Sequence, residues 1–389
     1  MSFLFKLTEL EKKARKGMSI RYTTRYTGAG CARPPKQDNQ CFMDYNDYAD
    51  LFRITARQHF KSDEYISKHL AYAKRLMDND LPVIYDSEHL SMLVGYTQGY
   101  IKHAVRYMTS YYWEYRIPKK TGGLRIIKEP MPNLKDIQLW ILHNILYKVK
   151  FHPYAKAYVP KKSIKENVRF HTKRRIVVAL DIHDFFGSIT SDDVYELFHT
   201  MGYEHWVADL LAKLCCLNNV LPQGAPTSPA LSNAYMYDFD EEMMKFCLER
   251  HIFYTRYADD MTFSGDFDVN ELKEKVRVLL RGKHLELNDG KTRVMTKDQR
   301  QIVTGCVVNQ RIHLPSEQLR KIRQEIYFIK KFGLVQHLQN MHCQKKNYVK
   351  HLYGRINYAL LIQPSNKKMQ EYKKYIKENF SDKLMGFEL

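Results

Sequence analysis

The chain has 389 residues, of which 44% are hydrophobic and 13% aromatic, and its formal net charge is +19 at pH 7. This length favours two or three subdomains, and this composition excludes an intrinsically disordered protein. The positive charge favours a polyanionic partner. No segment approaches transmembrane length and no lipidation signal is present, so nucleic acid is favoured over a membrane surface.

The N-terminal region shows no sign of chemistry. The seven cysteines of the chain form no C-x-x-C pair, so neither a zinc site nor a disulfide framework is predicted. A charged residue interrupts the segment Met1–Lys6 too early for a secretory signal to be predicted, so a cytoplasmic location is expected. Residues 1–70 combine a basic start, a Gly- and Pro-containing link at Thr27–Lys36 and helical segments from Asp44 onward, and are interpreted as an extension of unknown role.

Strand and helix patterns follow one another in the middle of the chain. Residues 114–130 predict two strands around a Gly-Gly turn, with Lys119, Lys120 and Arg125 near that turn. Hydrophobic spacing then predicts, in order, a helix over Leu134–Val149, a strand over Ile176–Leu180, and helices over Asp192–Thr200 and Trp206–Cys216.

The second half continues the alternation and ends in helices. The pattern predicts, in order, a helix from the Leu221–Pro229 loop to about Arg250, a hairpin around Asp259, a helix over Val269–Leu280 and a strand over Gln301–Val308. This order predicts an antiparallel sheet covered by helices on one side, an α+β fold. After Pro315 the pattern is helical, with Gly333 after the end of the first helix. Residues 311–389 hold 16 Lys and Arg against 6 Asp and Glu.

Three carboxylates at the ends of predicted strands are the main chemical feature. Asp259 and Asp260 are adjacent within Tyr254–Ser264, and the apolar strand before them in the chain ends in Asp181. Acids are depleted from strands and adjacent carboxylates repel each other, so a bound cation is the arrangement that best explains them. Three such groups can hold two Mg²⁺ ions roughly 4 Å apart for in-line phosphoryl transfer. The alternative is an ordinary Asp-containing turn.

Several motifs together carry a family resemblance. The segments Asp181–Phe186, Leu221–Pro229 and Tyr257–Asp260 stand in the order and approximate spacing of reverse transcriptase motifs. More narrowly, the chain resembles bacterial retron-type reverse transcriptases over about residues 110–360. Further matches are Arg125–Pro130, Val303–Gly305 and Asn167–His171, the last with Val168 where the retron pattern has Ala.

The resemblance implies an α+β right-hand polymerase. Its fingers would span residues 71–175, its palm 176–311 and its basic helical thumb 312–389. The palm would consist of an antiparallel sheet with helices on one face and would carry the catalytic site.

The resemblance also implies roles for single residues. Asp181, Asp259 and Asp260 are the expected catalytic residues and ligands of two Mg²⁺ ions, with Mn²⁺ as a substitute. The expected dNTP-binding residues are Lys119, Arg125, Phe186, Gln223, Gly224 and Lys291. Phe186 would exclude a 2′-hydroxyl, although a core Phe beside Phe185 is the alternative. For Lys291 the alternative to protonating pyrophosphate is an ordinary turn lysine.

A second set of residues is expected to contact RNA or primer. These are Asn167, Arg169 and His171 in a basic loop, together with Val303, Thr304 and Gly305 in a hairpin. A structural Asn and a partly buried His are the alternative for the first segment, and a strand ending at a Gly is the alternative for the second.

The resulting hypothesis is an RNA-directed DNA polymerase that copies a cognate structured noncoding RNA into DNA, acting as a retron in anti-phage defence. Its partners would be that RNA and its cDNA, dNTPs and a toxic effector protein, with oligomerisation left open. One alternative is a non-retron defence-associated reverse transcriptase that makes repetitive, untemplated or protein-primed DNA. Another is a catalytically vestigial, maturase-like RNA-binding scaffold.

Overall fold

The computed structural model describes residues 44–119, 122–343 and 345–384. The chain divides into two compact units, Met1–Lys150 with Phe186–Tyr235 and Phe151–Phe185 with Met236–Leu389. The predicted link at Thr27–Lys36 and Lys120 lie outside the described residues. The domain boundaries at residues 70, 175 and 311 stay predictions.

The helices and strands are numbered here in chain order. The α-helices are α1 (Tyr45–Gln58), α2 (Asp63–Met77), α3 (Ser87–Val94), α4 (Gln98–Arg106), α5 (Pro132–Asn144), α6 (Ile164–Val168), α7 (Ser191–Thr200), α8 (His205–Cys215), α9 (Ser228–Tyr235), α10 (Tyr237–Glu249), α11 (Val269–Arg281), α12 (Ser316–Asn340), α13 (Tyr348–Ile362), α14 (Lys367–Asn379) and α15 (Ser381–Leu384). The strands are β1 (Tyr112–Pro118), β2 (Leu124–Pro130), β3 (Ile176–Asp181), β4 (Phe253–Tyr257), β5 (Asp260–Gly265), β6 (Arg293–Thr296), β7 (Ile302–Val303) and β8 (Cys306–Val307).

Local sequence signals explain where the helices of the first unit begin and end. Thr190 caps α7, and its hydroxyl and the Asp193 carboxylate form a reciprocal capping box. Helix α5 buries the predicted apolar stripe but ends at Asn144, five residues before the predicted end, and a short 3₁₀ turn follows it. Strands β1 and β2 form the predicted antiparallel hairpin, which is closed by Gly122 and Gly123 at positive φ.

A four-stranded antiparallel sheet organises the second unit. The strand order is β4-β5-β3-β6, so β5 and β3 are the central pair. The predicted helix ending near Arg250 is interrupted at Met236, and only its second part, α10, belongs to this unit and packs against β4. Strand β6 was not predicted, because three of its four side chains are exposed and no apolar run marks it. The antiparallel α+β palm sheet is confirmed.

The C-terminal helices share an apolar core with one side of this sheet. The buried cluster includes Val177 of β3, Val303 of β7, Ile326 of α12 and Ile356 of α13. Gly333, at φ 80° and ψ 161°, interrupts α12 where the first helix was predicted to end, and helix resumes beyond it. Across the described ranges, no helix is both long and apolar enough to cross a membrane.

Candidate active site

The predicted carboxylates lie at one end of the palm sheet. Asp181, the last residue of β3, is paired directly with Asp260, the first residue of β5. Residues opposite each other on antiparallel strands have Cβ atoms about 4.5–5.5 Å apart. The hairpin that joins β4 to β5 leaves only Ala258 and Asp259 in its turn. The backbone oxygen of Asp259 accepts a hydrogen bond of 3.1 Å from the Ile182 amide, which ties this turn to the end of β3.

The sequence of β3 explains why Asp181 is held inside the protein. Val177–Leu180 is a continuous buried apolar run, as expected for a strand that is covered on both faces. Asp181 continues that strand and is only 6% exposed. Asp259 and Asp260 are half-buried.

Burial and nearby negative charge both act on the pKa of Asp260. Burial and the neighbouring charges of Asp259 and Asp181 raise the pKa of Asp260 to about 6, against the weaker opposing influence of Arg293 and Lys291. A carboxylate in such surroundings is stabilised in its charged form by an added cation. The electrostatics therefore fit a site that binds positive charge.

The donor set fits a hard divalent cation, although its present arrangement is not a closed metal site. Carboxylate oxygens are the ligands that Mg²⁺ prefers. Within residues 44–119, 122–343 and 345–384, no group of three or more His, Cys, Asp or Glu side chains is arranged to hold a metal ion as it stands. Lys291, in the 3₁₀ turn Asp289–Lys291, places its Nζ 2.8 Å from Oδ1 of Asp181 and supplies positive charge there.

The motif Asn167–His171 lies largely in the interior, which corrects the expectation that Asn167 and His171 contact RNA directly. Both residues have no exposed surface. The ring nitrogens of His171 lie 2.7 Å from Ser264 Oγ and 2.8 Å from Thr255 Oγ1, so the ring links β5 and β4. Burial lowers the pKa of His171 to about 3, with a further contribution from the charge of Arg174. Only Arg169 of the three predicted RNA contacts is exposed.

The second predicted RNA-contact segment is a tight hairpin. Strands β7 and β8 pair around Thr304 and Gly305, whose φ angles of 42° and 80° suit a two-residue turn. The side chain of Val303 is buried in the apolar cluster, which corrects the expectation that it contacts primer or RNA. Asn167 Nδ2 donates to Thr304 Oγ1 at 3.3 Å, so the two motifs are joined to each other.

In the first unit, the Gln223–Gly224 turn packs closely on β2. The Lys128 amide donates to the Gln223 backbone oxygen at 2.9 Å. Gly224 has φ 137°, and a Cβ atom there would lie 2.6 Å from the Lys128 backbone oxygen and 2.9 Å from Ile127 Cγ2. No side chain fits this position, so the requirement for glycine is steric as well as conformational.

The other predicted nucleotide-binding residues of the first unit are accessible. Lys119 and Arg125 are exposed on the β1–β2 hairpin, where Arg125 lies opposite Ile117. Phe186 is half-buried, whereas Phe185 is 4% exposed. Phe186 is therefore the more accessible of the two rings, and its role in sugar selection stays a prediction.

Comparison with known proteins identifies the family. The model described as reverse transcriptase (RNA-dependent DNA polymerase) matches residues 117–325, more than half of the chain. The chain belongs to the reverse transcriptase family. The retron Ec86 reverse transcriptase of Escherichia coli is 29% identical over 307 residues, which cover 78% of this chain and 91% of that protein. The retron Ec83 reverse transcriptase of Escherichia coli is 34% identical over 273 residues, which cover 66% of this chain and 84% of that protein.

These relatives place the chain among the retron-type enzymes. This reverse transcriptase is an RNA-directed DNA polymerase, and its family uses divalent metal ions. Among solved structures, telomerase from Candida tropicalis in complex with a telomeric RNA fragment is similar at a TM-score of 0.43 and 11% identity, covering 73% of this chain and 59% of that chain. That likeness is too low to carry an argument, and the assignment rests on the sequence relatives.

Sequence reasoning missed one buried ionic group beside the carboxylates of this reverse transcriptase. Asp240 of α10 and Arg256 of β4 have no exposed surface and form an ion pair of 2.6 Å. The available signal was an arginine inside the otherwise uncharged strand Phe253–Tyr257, since charged residues are almost never fully buried unless they are paired.

Proposed function

We propose that Asp181, Asp259 and Asp260 are the catalytic carboxylates of this reverse transcriptase and hold two Mg²⁺ ions. The observation that carries the proposal is the pairing of Asp181 with Asp260 across β3 and β5, with Asp259 in the adjoining turn. The raised pKa of Asp260 supports it, because burial and the nearby charges of Asp259 and Asp181 disfavour the carboxylate anion, which an added cation would stabilise. Bound metal would activate the primer hydroxyl and stabilise charge on the leaving pyrophosphate.

The chain's own residues would position the nucleotide for the reaction. The primer hydroxyl would lose its proton to water and its oxygen would attack the α-phosphorus of the dNTP. The bond from that phosphorus to the bridging oxygen would break, and pyrophosphate would leave. Arg125 and Lys119 would bind the triphosphate, Arg125 through its planar fork and Lys119 as a point charge. Lys291 would give a proton to the leaving group, and its ammonium already lies beside Asp181.

Two further residues would select and place the nucleotide. Gln223 would contact the incoming nucleotide from a turn that the close approach of Gly224 to β2 holds in place. Phe186 would lie against the sugar and disfavour a 2′-hydroxyl. In the second unit, Arg169 and the Thr304–Gly305 turn would contact RNA or primer, with Asn167 and His171 supporting them from the interior.

The template would be a structured noncoding RNA. DNA synthesis would be primed from an RNA 2′-hydroxyl and would give a branched RNA–DNA product in the bacterial cytoplasm. The retron relatives and the excess of basic residues after residue 311 support this choice. A role in anti-phage defence together with a toxic effector protein belongs to the same proposal.

The test is to purify the protein from its native operon and to sequence the nucleic acid that travels with it. Asp259→Asn is the inactive variant, and Asp266→Asn is the matched control, because Asp266 is an exposed acid that pairs with Arg175 at the surface. We expect DNA complementary to one small RNA, joined through a 2′–5′ branch, from wild type and control only. Repetitive or protein-linked DNA would assign the chain to another class of defence enzyme, and RNA alone in all three samples would overturn the proposal.

A further inference from the structure

A buried ionic network lies directly beneath the turn that carries Asp259 and Asp260. Arg256 donates from Nε and Nη2 to the carboxylate of Asp240 at 2.6 to 3.2 Å. Tyr254 Oη donates to the same carboxylate at 2.7 Å. All three side chains are essentially inaccessible to solvent. The network therefore joins helix α10 to strand β4 by a charged connection in the interior.

One arm of the guanidinium reaches the catalytic turn itself. Nη1 of Arg256 donates to the backbone oxygen of Ala258 at 3.2 Å. Ala258 has φ 60°, a left-handed conformation that costs an L-residue energy and persists only when its surroundings enforce it. The hydrogen-bonded carbonyl belongs to the peptide unit that leads into Asp259, so its orientation sets the direction of the chain at the first of the two acids.

The backbone of Arg256 is fixed as well as its side chain. Its amide donates to Tyr154 O at 2.9 Å, and its carbonyl accepts from the Lys156 amide at 2.8 Å. These bonds cover the edge of β4 at this residue. Because both the backbone and the side chain of Arg256 are held by hydrogen bonds, its guanidinium can keep the Ala258 carbonyl at a fixed distance from the sheet.

We propose that Arg256, held by Asp240, is a positioning residue that fixes the Ala258–Asp259 peptide and thereby the carboxylates of Asp259 and Asp260. This inference rests on the proposed function of those carboxylates. Stability alone does not account for the network, because a buried ion pair is often no more stabilising than apolar residues of similar volume. An apolar pair, however, has no donor for the Ala258 carbonyl, and only the planar fork of arginine serves Asp240 and that carbonyl together.

Two variants separate positioning from stability. Arg256→Lys keeps a positive charge for Asp240 but loses the fork. The triple variant Tyr254→Phe, Asp240→Leu, Arg256→Met replaces the network by apolar side chains. It is expected to fold even if Arg256→Lys does not, because such a replacement is often neutral for stability. Leu280→Ala, in the buried face of α11, is the control for loss of core packing alone.

Three readouts test the proposal on the full chain with an RNA template and a paired primer. We expect kcat for dNTP incorporation to fall about tenfold to a hundredfold in either folded variant, with KM for dNTP changed much less. Mn²⁺ binding, followed by electron paramagnetic resonance, is expected to weaken about tenfold or more. Hydrogen exchange of the Ile182 amide, which donates to Asp259, should accelerate relative to the amides within β3. Leu280→Ala should lower the melting temperature and leave all three unchanged.

A folded variant with wild-type kcat, Mn²⁺ affinity and Ile182 exchange would overturn the positioning role. Failure of the proposed function looks different. In that case the wild-type protein incorporates no more dNTP than Asp259→Asn, and the exchange of the Ile182 amide alone then decides whether Arg256 positions the turn.

Discussion

Burial changes the role that the sequence predicts for His171. In the sequence it lies among basic residues, where contact with RNA is a reasonable expectation. In the structure it has no exposed surface and bridges Thr255 and Ser264. Both ring nitrogens are hydrogen-bonded to hydroxyl groups, and the buried surroundings disfavour a positive charge on the ring.

Because the neutral ring of His171 is buried, the free energy of unfolding is predicted to fall in mild acid. Its pKa is about 3 in the folded chain and about 6.5 when unfolded, so the unfolded chain binds the proton first. The stabilising contribution of the neutral His171 ring to the free energy of unfolding is fully present above pH 6.5. It is lost as the pH falls from there toward 3. Urea unfolding of wild type and His171→Gln at pH 7.5 and pH 5 is the measurement. The advantage of wild type should shrink by on the order of 2 kcal/mol, and an unchanged difference would contradict the buried neutral ring.

Single-residue chemistry was predictable where sequence order alone brings groups together. Asp259 and Asp260 are adjacent, and Asp181 ends an apolar strand, so their common location followed from strand patterns. The partners of Asn167 and His171 are far away in the chain, such as Thr304 and Ser264, and no local signal identifies them. The pairing of Asp240 with Arg256 was missed as well, although an arginine within an otherwise uncharged strand was a local signal for a buried partner.

At the scale of elements, the contact between the Gln223–Gly224 turn and β2 is as important as either element alone. It consists of one backbone hydrogen bond and a close approach that only glycine allows. Since the turn carries Gln223, a shift at Gly224 displaces a proposed nucleotide contact. The sequence showed the turn-forming residues but not the strand against which they pack.

Gly224→Ala is predicted to lower both stability and nucleotide affinity. A Cβ atom 2.6 Å from a backbone oxygen forces the turn away from β2, and such overpacking costs about 1–3 kcal/mol in addition to the unfavourable backbone conformation. Gly95→Ala is the matched control, because Gly95 also has a positive φ of 80° but nothing lies within 4 Å of its added Cβ. Thermal unfolding and KM for dNTP should change more for Gly224→Ala, and equal effects would contradict the close-packing account.

Element boundaries followed the sequence where caps or turns mark them. Helix α7 begins one residue before its predicted start because Thr190 caps it, and the break in α12 falls at Gly333 as expected. The helix expected to run to Arg250 divides at Met236, a residue with no breaking tendency of its own. Strand β6 has no strand-like hydrophobic pattern of its own. It forms because it pairs with β3, which is a tertiary contact.

Charge is distributed unevenly along the chain. The net charge is +19, and residues 311–389 contribute an excess of basic over acidic side chains that is large for their length. Lys373, Lys374 and Lys377 of α14 line a surface cavity beside Leu360 and Pro364. Composition alone predicted a polyanionic partner, whereas the identity of the RNA is not encoded in any pattern of the chain.

This distribution predicts that RNA binding weakens with salt and that α14 accounts for part of the dependence. Replacing Lys373, Lys374 and Lys377 together by Ala should reduce the slope of log Kd against log salt concentration by roughly 2, since each released counterion contributes about 0.7 for single strands. Replacing the exposed Lys61, Lys68 and Lys102 by Ala removes the same charge from the first unit. Equal slopes for the two triple variants, measured by filter binding over a range of KCl concentrations, would show that the location of the charge is immaterial.

The three carboxylates of the palm sheet are proposed to catalyse RNA-directed DNA synthesis. The most direct measurement is dNTP incorporation by the purified chain on a primed RNA template with Mg²⁺, comparing wild type, Asp259→Asn and Asp266→Asn. Loss of a metal ligand should exceed the 10–100-fold effect typical of groups that only support one, so we expect Asp259→Asn to lower kcat by more than about 10²-fold and Asp266→Asn to retain wild-type activity. Template-dependent synthesis that persists in Asp259→Asn at a wild-type rate would rule out a catalytic role for Asp259.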